Sequence, residues 1–223
     1  MLENSKDWPN NFDFETDATC QSVFKPFIKT QMNALKALDA ARPEDITYVF
    51  HEHAERVANA IKKACLHLGL SEMVANNMYW ATLPHDIGKA ALPPEIWDTE
   101  EKPSDELKAQ RRTHVLLGVQ IVEERFGDLE HPFKDLMMDI MKHHHEQIDG
   151  QGELGIPGDQ LSSPVRLAAI VEAFDGWSIP RPHFGDRDIS PAGVLKRMRE
   201  EKLHMFDAEL FEAFEMIMLE KTS

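Results

Sequence analysis

Residues 143–152 read His-His-His-Glu-Gln-Ile-Asp-Gly-Gln-Gly, and residues 85–89 read His-Asp-Ile-Gly-Lys. Adjacent imidazole and carboxylate groups favour iron, manganese, zinc or nickel over magnesium and calcium, which prefer all-oxygen ligands. Two further histidines complete a spaced series: His53, His85-Asp86, His114 and His144-His145, with intervals of 32, 29 and 30 residues. This interval suits one ligand position per helix in a bundle whose helices point inward at a common centre, so the series predicts a metal site.

The rest of the chain predicts an all-α fold of about seven to nine helices, because apolar residues recur at three- and four-residue steps. We predict helices over residues 22–38, 46–69, 72–86, 105–125, 133–145 and 165–177, then one opened by Ser190-Pro191 and a last one opened by Asp207. Pro84 should loosen the end of the third, and Gly88 should terminate it. Residues 1–19 are polar and predict loose order. We expect an N-terminal extension over 1–45 and a main domain over 46–220.

Composition limits the function. A chain of 223 residues is long enough for one well-buried domain with a short appendage. The net charge of −15 argues against a nucleic-acid polymer or an anionic membrane as partner, although local cations and metal could still hold a small phosphorylated ligand. Cys20 and Cys65 form no C-x-x-C pair, and Cys65 fits an apolar helical stripe. Without a recognisable signal or transmembrane segment, we expect a cytoplasmic protein with reduced thiols.

These motifs together resemble the HD superfamily of metal-dependent phosphohydrolases, and within it the HD-GYP group of bacterial phosphodiesterases. The resemblance runs from about Ile46 to Ile217 and includes H-D-I-G-K at 85–89, H-H-E-x-x-D-G-x-G at 144–152, Phe174-Asp175 and Arg181-Pro182. It implies an HD-domain helical bundle with a binuclear metal site at its centre. The expected ions are two divalent metals, iron or manganese first, with zinc or nickel as alternatives.

The resemblance also implies a role for each ligand. Asp86 would bridge the two ions, with His53, His85 and Glu172 completing one ion and His114, His144 and His145 completing the other. Such a pair of ions activates water for in-line attack on a phosphoester. Asp86 and Lys89 are the expected catalytic residues, and Lys89 and Arg181 the expected contacts to substrate phosphate. The alternatives are a solvated lysine and a surface ion pair.

The chain departs from the family pattern at four places. Glu153-Leu154 replaces the tyrosine and proline of the signature, which changes the loop that shapes the pocket. Glu172 stands where the family has aspartate, and His183 stands where the family has the tyrosine of R-P-Y. Val49 replaces a glutamate that accompanies a third metal in some members, so we expect two ions rather than three.

Other polar residues receive weaker assignments. Glu146 and Asp149 are expected to hold a ligand imidazole or fix a loop. Asp175 is expected to cap or orient a helix, or to replace Glu172 as ligand. His143 could replace His145 in a shifted pair. The remaining histidines are expected to be exposed or structural: His51, His67, His131 and His204.

Three function classes follow from these residues. The first is a phosphodiesterase that acts on a cyclic dinucleotide such as cyclic di-GMP, or on another nucleotide. The second is a metal-containing sensor or interaction module without turnover, favoured by the changes at Glu153-Leu154 and Glu172. The third is a di-iron oxygenase, which would consume oxygen with a non-phosphate substrate. A homodimer or a signalling protein partner is also compatible with the sequence.

Overall fold

A computed structural model describes residues 7–99, 101–181 and 184–220, and within these ranges the regular secondary structure is helical, with no strand. The α-helices are α1 Lys25–Ala40, α2 Phe50–His67, α3 Glu72–Thr82, α4 Asp105–Arg112, α5 His114–Phe126, α6 Pro132–His143, α7 Ser163–Trp177, α8 Pro191–Glu201 and α9 Ala208–Glu220. A short π-helix, Cys20–Phe24, leads into α1, and the longest 3₁₀ turn is Ile87–Ala91. The all-α prediction is confirmed, and the helices of these ranges fall within the expected number. None of the described helices is both long and apolar enough to span a bilayer.

Helix α2 lies at the centre of the core, where it packs against α3 and α7. Its buried stripe includes Val57, Ile61 and Cys65, and His53 lies on the same buried side. Helix α6 packs against α3, α5 and α7, and α9 covers α2 and α7. The polar series of the sequence is therefore carried into the interior by helices that are otherwise apolar. Cys65 is buried and unpaired, as its helical pattern predicted.

The third helix ends earlier than predicted. It stops at Thr82 rather than at Asp86, because Pro84 has no N–H to continue the hydrogen-bond ladder and restricts the residue before it. His85 and Asp86 consequently lie in a turn before the 3₁₀ segment. Gly88 is not a left-handed helix terminator, which corrects the prediction. A Cβ at this position would lie 1.9 Å from the carbonyl oxygen of His114 and 2.5 Å from the amide nitrogen of Gly118, so only glycine allows this approach to α5.

The helix predicted over residues 105–125 is two helices, which is a second correction. The axis breaks at Thr113, between α4 and α5. At this break the carbonyl of Arg111 accepts a hydrogen bond from Nδ1 of His114 at 2.7 Å. The interruption therefore fixes the orientation of the imidazole that the sequence had placed in mid-helix.

The loose order predicted for residues 1–19 is wrong for residues 7–19; residues 1–6 lie outside the described ranges. Trp8 and Phe14 are buried, and the ring of Phe14 stacks on that of Trp80 with centroids 4.7 Å apart. Asn77, buried in α3, accepts a hydrogen bond from the Phe14 amide and donates to the carbonyls of Pro9 and Phe12. Apolar residues of α1 are buried in the same core, and the domain boundary near residue 45 stays a prediction.

Candidate metal centre

Five elements bring the seven predicted ligands together. His53 lies on α2, His85 and Asp86 in the turn after α3, His114 at the first residue of α5, and Glu172 on α7; His144 and His145 directly follow the last residue of α6. Because α6 ends at His143, the chain turns at the pair, and the two rings lie 4.0 Å apart between centroids. All seven side chains are buried except that of His145, which is partly buried.

Asp86 lies at the middle of the cluster with its two oxygens facing different groups. Its Oδ2 lies 3.5 Å from the Nε2 atoms of both His53 and His85. Its Oδ1 lies 3.1 Å from Nε2 of His114 and 3.9 Å from Nε2 of His144. Oε2 of Glu172 lies 2.8 Å from Nε2 of His53. The side chains thus form two groups, with His53 and His85 near Oδ2 of Asp86 and His114 and His144 near its Oδ1.

Several polar atoms of the cluster are buried and face one another at contact distance, but without a hydrogen bond of good geometry. Six such atoms converge here: Nε2 of His53, His85, His114 and His144, Oδ1 of Asp86 and Oε2 of Glu172. Buried polar atoms are normally hydrogen-bonded, and a group of them without partners calls for an ion or water. A mixed set of imidazole and carboxylate donors fits divalent transition metals.

Hydrogen bonds to the opposite ring nitrogens orient the imidazoles. Nδ1 of His85 contacts the carbonyl of Thr82 at 2.9 Å, and Nδ1 of His144 contacts that of Met141 at 2.9 Å. With His114 on the carbonyl of Arg111, three rings have Nδ1 next to a backbone carbonyl, and because a carbonyl can only accept, Nδ1 carries the hydrogen and donates. The lone pair of each Nε2 is therefore directed into the cluster, as in metal-binding histidines.

Most side chains of the cluster are in the protonation state that binds metal. Burial, and then repulsion from His145, lowers the pKa of His144 well below its usual value. Burial and the neighbouring His114 lower the pKa of His145 to about 3. Burial would raise the pKa of Asp86, but Lys89 and His85 lower it well below its usual value. Neutral imidazole and ionised carboxylate are the forms that bind metal.

His53 differs because a third carboxylate, that of Asp175, contacts it in addition to those of Glu172 and Asp86. Burial lowers its pKa, but the charge of Glu172 and a hydrogen bond to Asp175 outweigh burial and raise the pKa to about 9. Oδ2 of Asp175 lies 2.6 Å from Nδ1 of His53, and Arg56 donates two hydrogen bonds to the same carboxylate. Asp175 therefore orients a candidate ligand, a contact that sequence reasoning missed. Its position three residues after Glu172, on the same face of α7, was the available signal.

Lys89 is buried, with 5% of its surface exposed, so the alternative of a solvated lysine is wrong. Its ammonium group pairs with Oδ2 of Asp86. The same nitrogen lies 4.6 Å from the ring centroid of Phe50 and 5.4 Å from that of Tyr48. This aromatic surround and the ion pair fix a positive charge beside the candidate bridging carboxylate.

A cavity of about 790 Å³ opens beside the cluster and is lined by Lys89, His114, His145 and Glu172. Its wall also carries five arginine and lysine side chains from separate segments: Arg42, Lys108, Arg111, Arg112 and Arg181. Of these, sequence reasoning had singled out only Arg181. The guanidinium of Arg181 lies 4.3 Å from the ring centroid of Tyr48, and its buried Nε makes no hydrogen bond. An acidic protein thus has a basic pocket next to its candidate metal centre.

Residues 44–210 match the family model described as the HD domain. The chain belongs to the HD domain family. The resemblance seen in the sequence is thereby confirmed, and HD-domain phosphohydrolases are metal-dependent. This HD domain is 29% identical over 184 residues to the cyclic di-GMP phosphodiesterase PA4108 of Pseudomonas aeruginosa, covering 82% of the chain and 42% of that protein.

A second relative of this HD domain is the 3'3'-cGAMP-specific phosphodiesterase 3 of Vibrio cholerae, 31% identical over 72% of the chain and 34% of that protein. The chain therefore spans less than half the length of these curated relatives. Among solved structures, Bd1817, an HDG"Y"P protein from Bdellovibrio bacteriovorus, matches with a TM-score of 0.64 at 17% identity, covering 93% of the chain and 65% of that structure. The PgpH HD domain of L. monocytogenes in complex with cyclic-di-AMP matches with a TM-score of 0.51 at 16% identity, covering 85% and 95%. These structures support the fold.

Within the HD domain, the loop after His145 is built around Glu146. This buried carboxylate accepts hydrogen bonds from the amides of Leu154 at 2.6 Å and Ile156 at 2.9 Å, so it fixes the loop and holds no ligand imidazole. Asp149 accepts a hydrogen bond from the Gln151 amide and shapes the turn. Glu146 and Asp149 were expected either to hold a ligand imidazole or to fix a loop, and both fix the loop.

The other histidines are accounted for outside the cluster. His143 pairs with Asp139 at 2.8 Å, which favours His144 and His145 as the inward pair. His51 pairs with Asp39 at 2.7 Å, and Nδ1 of His131 accepts a hydrogen bond from the Phe133 amide at the start of α6. His67 and His204 are exposed. Pro182 and His183 lie outside the described ranges.

Proposed function

We propose that this HD domain is a metal-dependent phosphodiesterase that hydrolyses a cyclic dinucleotide, with cyclic di-GMP as the first candidate. The observation that carries the proposal is the convergence of six buried polar atoms that lack hydrogen bonds of good geometry, one of them on Asp86 and five around it, beside a cavity lined with cations. Curated relatives named as cyclic di-GMP and 3'3'-cGAMP phosphodiesterases support the same substrate class.

In this proposal His53, His85 and Glu172 would hold one divalent ion, His114, His144 and His145 would hold a second, and Asp86 would be a ligand shared by both. When bound, such a pair of ions supplies Lewis acidity and an activated water for phosphoester hydrolysis. Iron or manganese is the proposed identity, because both suit histidine and carboxylate donors. Asp175 holds the His53 ring in place, and the backbone carbonyls of Thr82, Arg111 and Met141 hold three more rings.

The substrate is bound by the chain's own cations in this proposal. Lys89 provides a fixed charge within the cavity, and Arg181 offers an unpaired buried N–H beside it. A cyclic dinucleotide carries two phosphates, and both charges can be matched by cations that need little rearrangement, because Lys89 and Arg181 are already held against aromatic rings. The net charge of −15 makes this local basic wall necessary for an anionic ligand.

The test combines metal content with turnover on one sample purified without oxygen. We expect two metal ions per chain and conversion of cyclic di-GMP to a linear or mononucleotide product, with both lost in Asp86→Asn. Two bound ions without hydrolysis of cyclic di-GMP would refute the proposed activity on this substrate and favour a sensor module. Oxygen consumption would instead point to the oxygenase chemistry, and a chain that binds no metal would refute the site.

A further inference from the structure

The cavity wall contains carboxylates as well as cations, and their partners differ. The described residues that line it include four: Asp45, Asp98, Glu153 and Glu172. Asp98 accepts two hydrogen bonds from Arg42, and Glu172 belongs to the metal cluster. Asp45 is exposed. Glu153 is exposed as a whole residue, but its side chain is only 21% exposed, and it accepts no hydrogen bond from the described residues.

The ion pair of Glu153 with Arg112 leaves the acceptor capacity of the carboxylate in place. Nε of Arg112 lies 3.6 Å from Oε1 of Glu153, which is too long for a hydrogen bond, and the arginine side chain is 57% exposed. The glutamate side chain is only 21% exposed. Burial raises the pKa of the Glu153 carboxyl above its usual value, against the opposing charges of His114 and Arg112. A carboxylate in this state gains from a ligand that supplies N–H donors.

The backbone that presents Glu153 is fixed in position. The carboxylate of Glu146 binds the amides of Leu154 and Ile156, one and three residues after Glu153. Gly150 and Gly155 have positive φ angles of 72° and 71°, which glycine adopts without strain. A Cβ on Gly152 would lie 2.5 Å from Cα of Glu146, so the loop closes tightly over that residue. A group held this way recognises a ligand without a large ordering cost.

We propose that Glu153 is a specificity residue that selects guanine over adenine in the substrate. The inference rests on the proposed function. Guanine presents two adjacent donors, N1–H and N2–H, and a carboxylate accepts both with its two oxygens. Adenine presents an acceptor, N1, beside its amino group, so one carboxylate oxygen would face a lone pair. Binding adenine would leave an oxygen of the Glu153 carboxylate without a hydrogen-bond donor, and such a loss discriminates strongly between two ligands.

Substitution of Glu153 by glutamine gives a sharp test, because the amide presents one acceptor and one donor where the carboxylate presents two acceptors. The amide oxygen can accept from the adenine amino group while the amide nitrogen donates to adenine N1. We expect the wild-type chain to prefer cyclic di-GMP over cyclic di-AMP by roughly 10- to 100-fold, the range for one two-point base contact. In Glu153→Gln we expect this preference to be lost, with metal content unchanged, because the amide can pair with either base.

Affinity and turnover are both measured, on the manganese-loaded full chain, for cyclic di-GMP and cyclic di-AMP. Glu130→Gln is the matched control, since Glu130 is exposed and outside the cavity, and the same charge is removed. The control should keep the wild-type ratio. An equal preference in the wild-type chain, binding of neither nucleotide, or a Glu153→Gln ratio equal to that of the wild type would each overturn the role of Glu153.

These outcomes separate the two proposals. If the wild-type chain binds with a guanine preference that Glu153→Gln removes, but releases no product, the proposed catalysis fails while the role of Glu153 stands. If both nucleotides are hydrolysed with a ratio that Glu153→Gln leaves unchanged, the phosphodiesterase stands and the specificity role fails.

Discussion

Replacement of Gly88 by alanine should disrupt the candidate metal centre through the backbone, without changing any proposed ligand. The new Cβ would lie 1.9 Å from the His114 carbonyl oxygen, whereas ordinary contacts begin near 3.4 Å. The segment that carries Asp86 and the start of α5 must therefore separate by about 1.5 Å, the difference between those distances. Metal sites keep their ligand distances within about 0.2 Å, so the two groups of proposed ligands should lose their common geometry.

The cost in stability can be estimated from the same contact. Inserting a methyl group into a closely packed interior costs about 1–3 kcal/mol, and here both obstructing atoms belong to backbone, so we expect the upper end, about 3 kcal/mol. In a chain of this size that corresponds to a fall in Tm of about 6–12 °C. Thermal unfolding and metal content of the same preparation measure both effects.

Gly176 provides the control for this experiment. It lies inside α7, and a Cβ there would meet a single neighbouring atom, Nη2 of Arg181, at 3.9 Å. Alanine is a better helix former than glycine, so Gly176→Ala should raise stability by about 0.5–1 kcal/mol and keep the metal. The reasoning fails if Gly88→Ala binds the full metal complement and unfolds within about 2 °C of the wild type.

Three further perturbations probe the cluster itself. Asp175→Asn should weaken metal binding by about 10- to 100-fold, because His53 loses the carboxylate that orients it; a titration with manganese that gives the wild-type affinity would contradict this. Lys89→Met should retain both ions and lower turnover about 100-fold by removing one fixed charge, and unchanged kcat would exclude Lys89 from the reaction. The pKa of His53, about 9 without metal, predicts a protonated ring at pH 7.5 that must lose its proton to bind an ion. Metal affinity should therefore rise with pH up to about 9, and binding should release about one proton per chain. Calorimetry in buffers of different ionisation enthalpy measures this proton release. If no proton is released at pH 7.5, His53 is not protonated in the metal-free chain.

The helical class and the identity of the candidate ligands could be predicted from the sequence because both depend on local order along the chain. Apolar periodicity places each helix regardless of its partners, and the near-equal spacing of His53, His85, His114 and His144 implies one inward position per helix. Resemblance added Glu172 and the division of donors about Asp86. Helix ends were less predictable, since the end of α3 at Thr82 and the break at Thr113 depend on how the chain turns to reach its neighbours.

The remaining features depend on contacts between residues far apart in sequence, and only the folded structure reveals these. Asp175 reaches His53 across 122 positions, and Asn77 binds the N-terminal segment across more than 60. The requirement for glycine at position 88 comes from the approach of α5, which no local pattern of residues 85–89 encodes. The basic wall of the cavity combines Arg42, Arg111 and Arg181 from separate elements. Sequence therefore determined which groups are available for chemistry, whereas packing decided which of their atoms face one another, because direction and distance are properties of the folded chain.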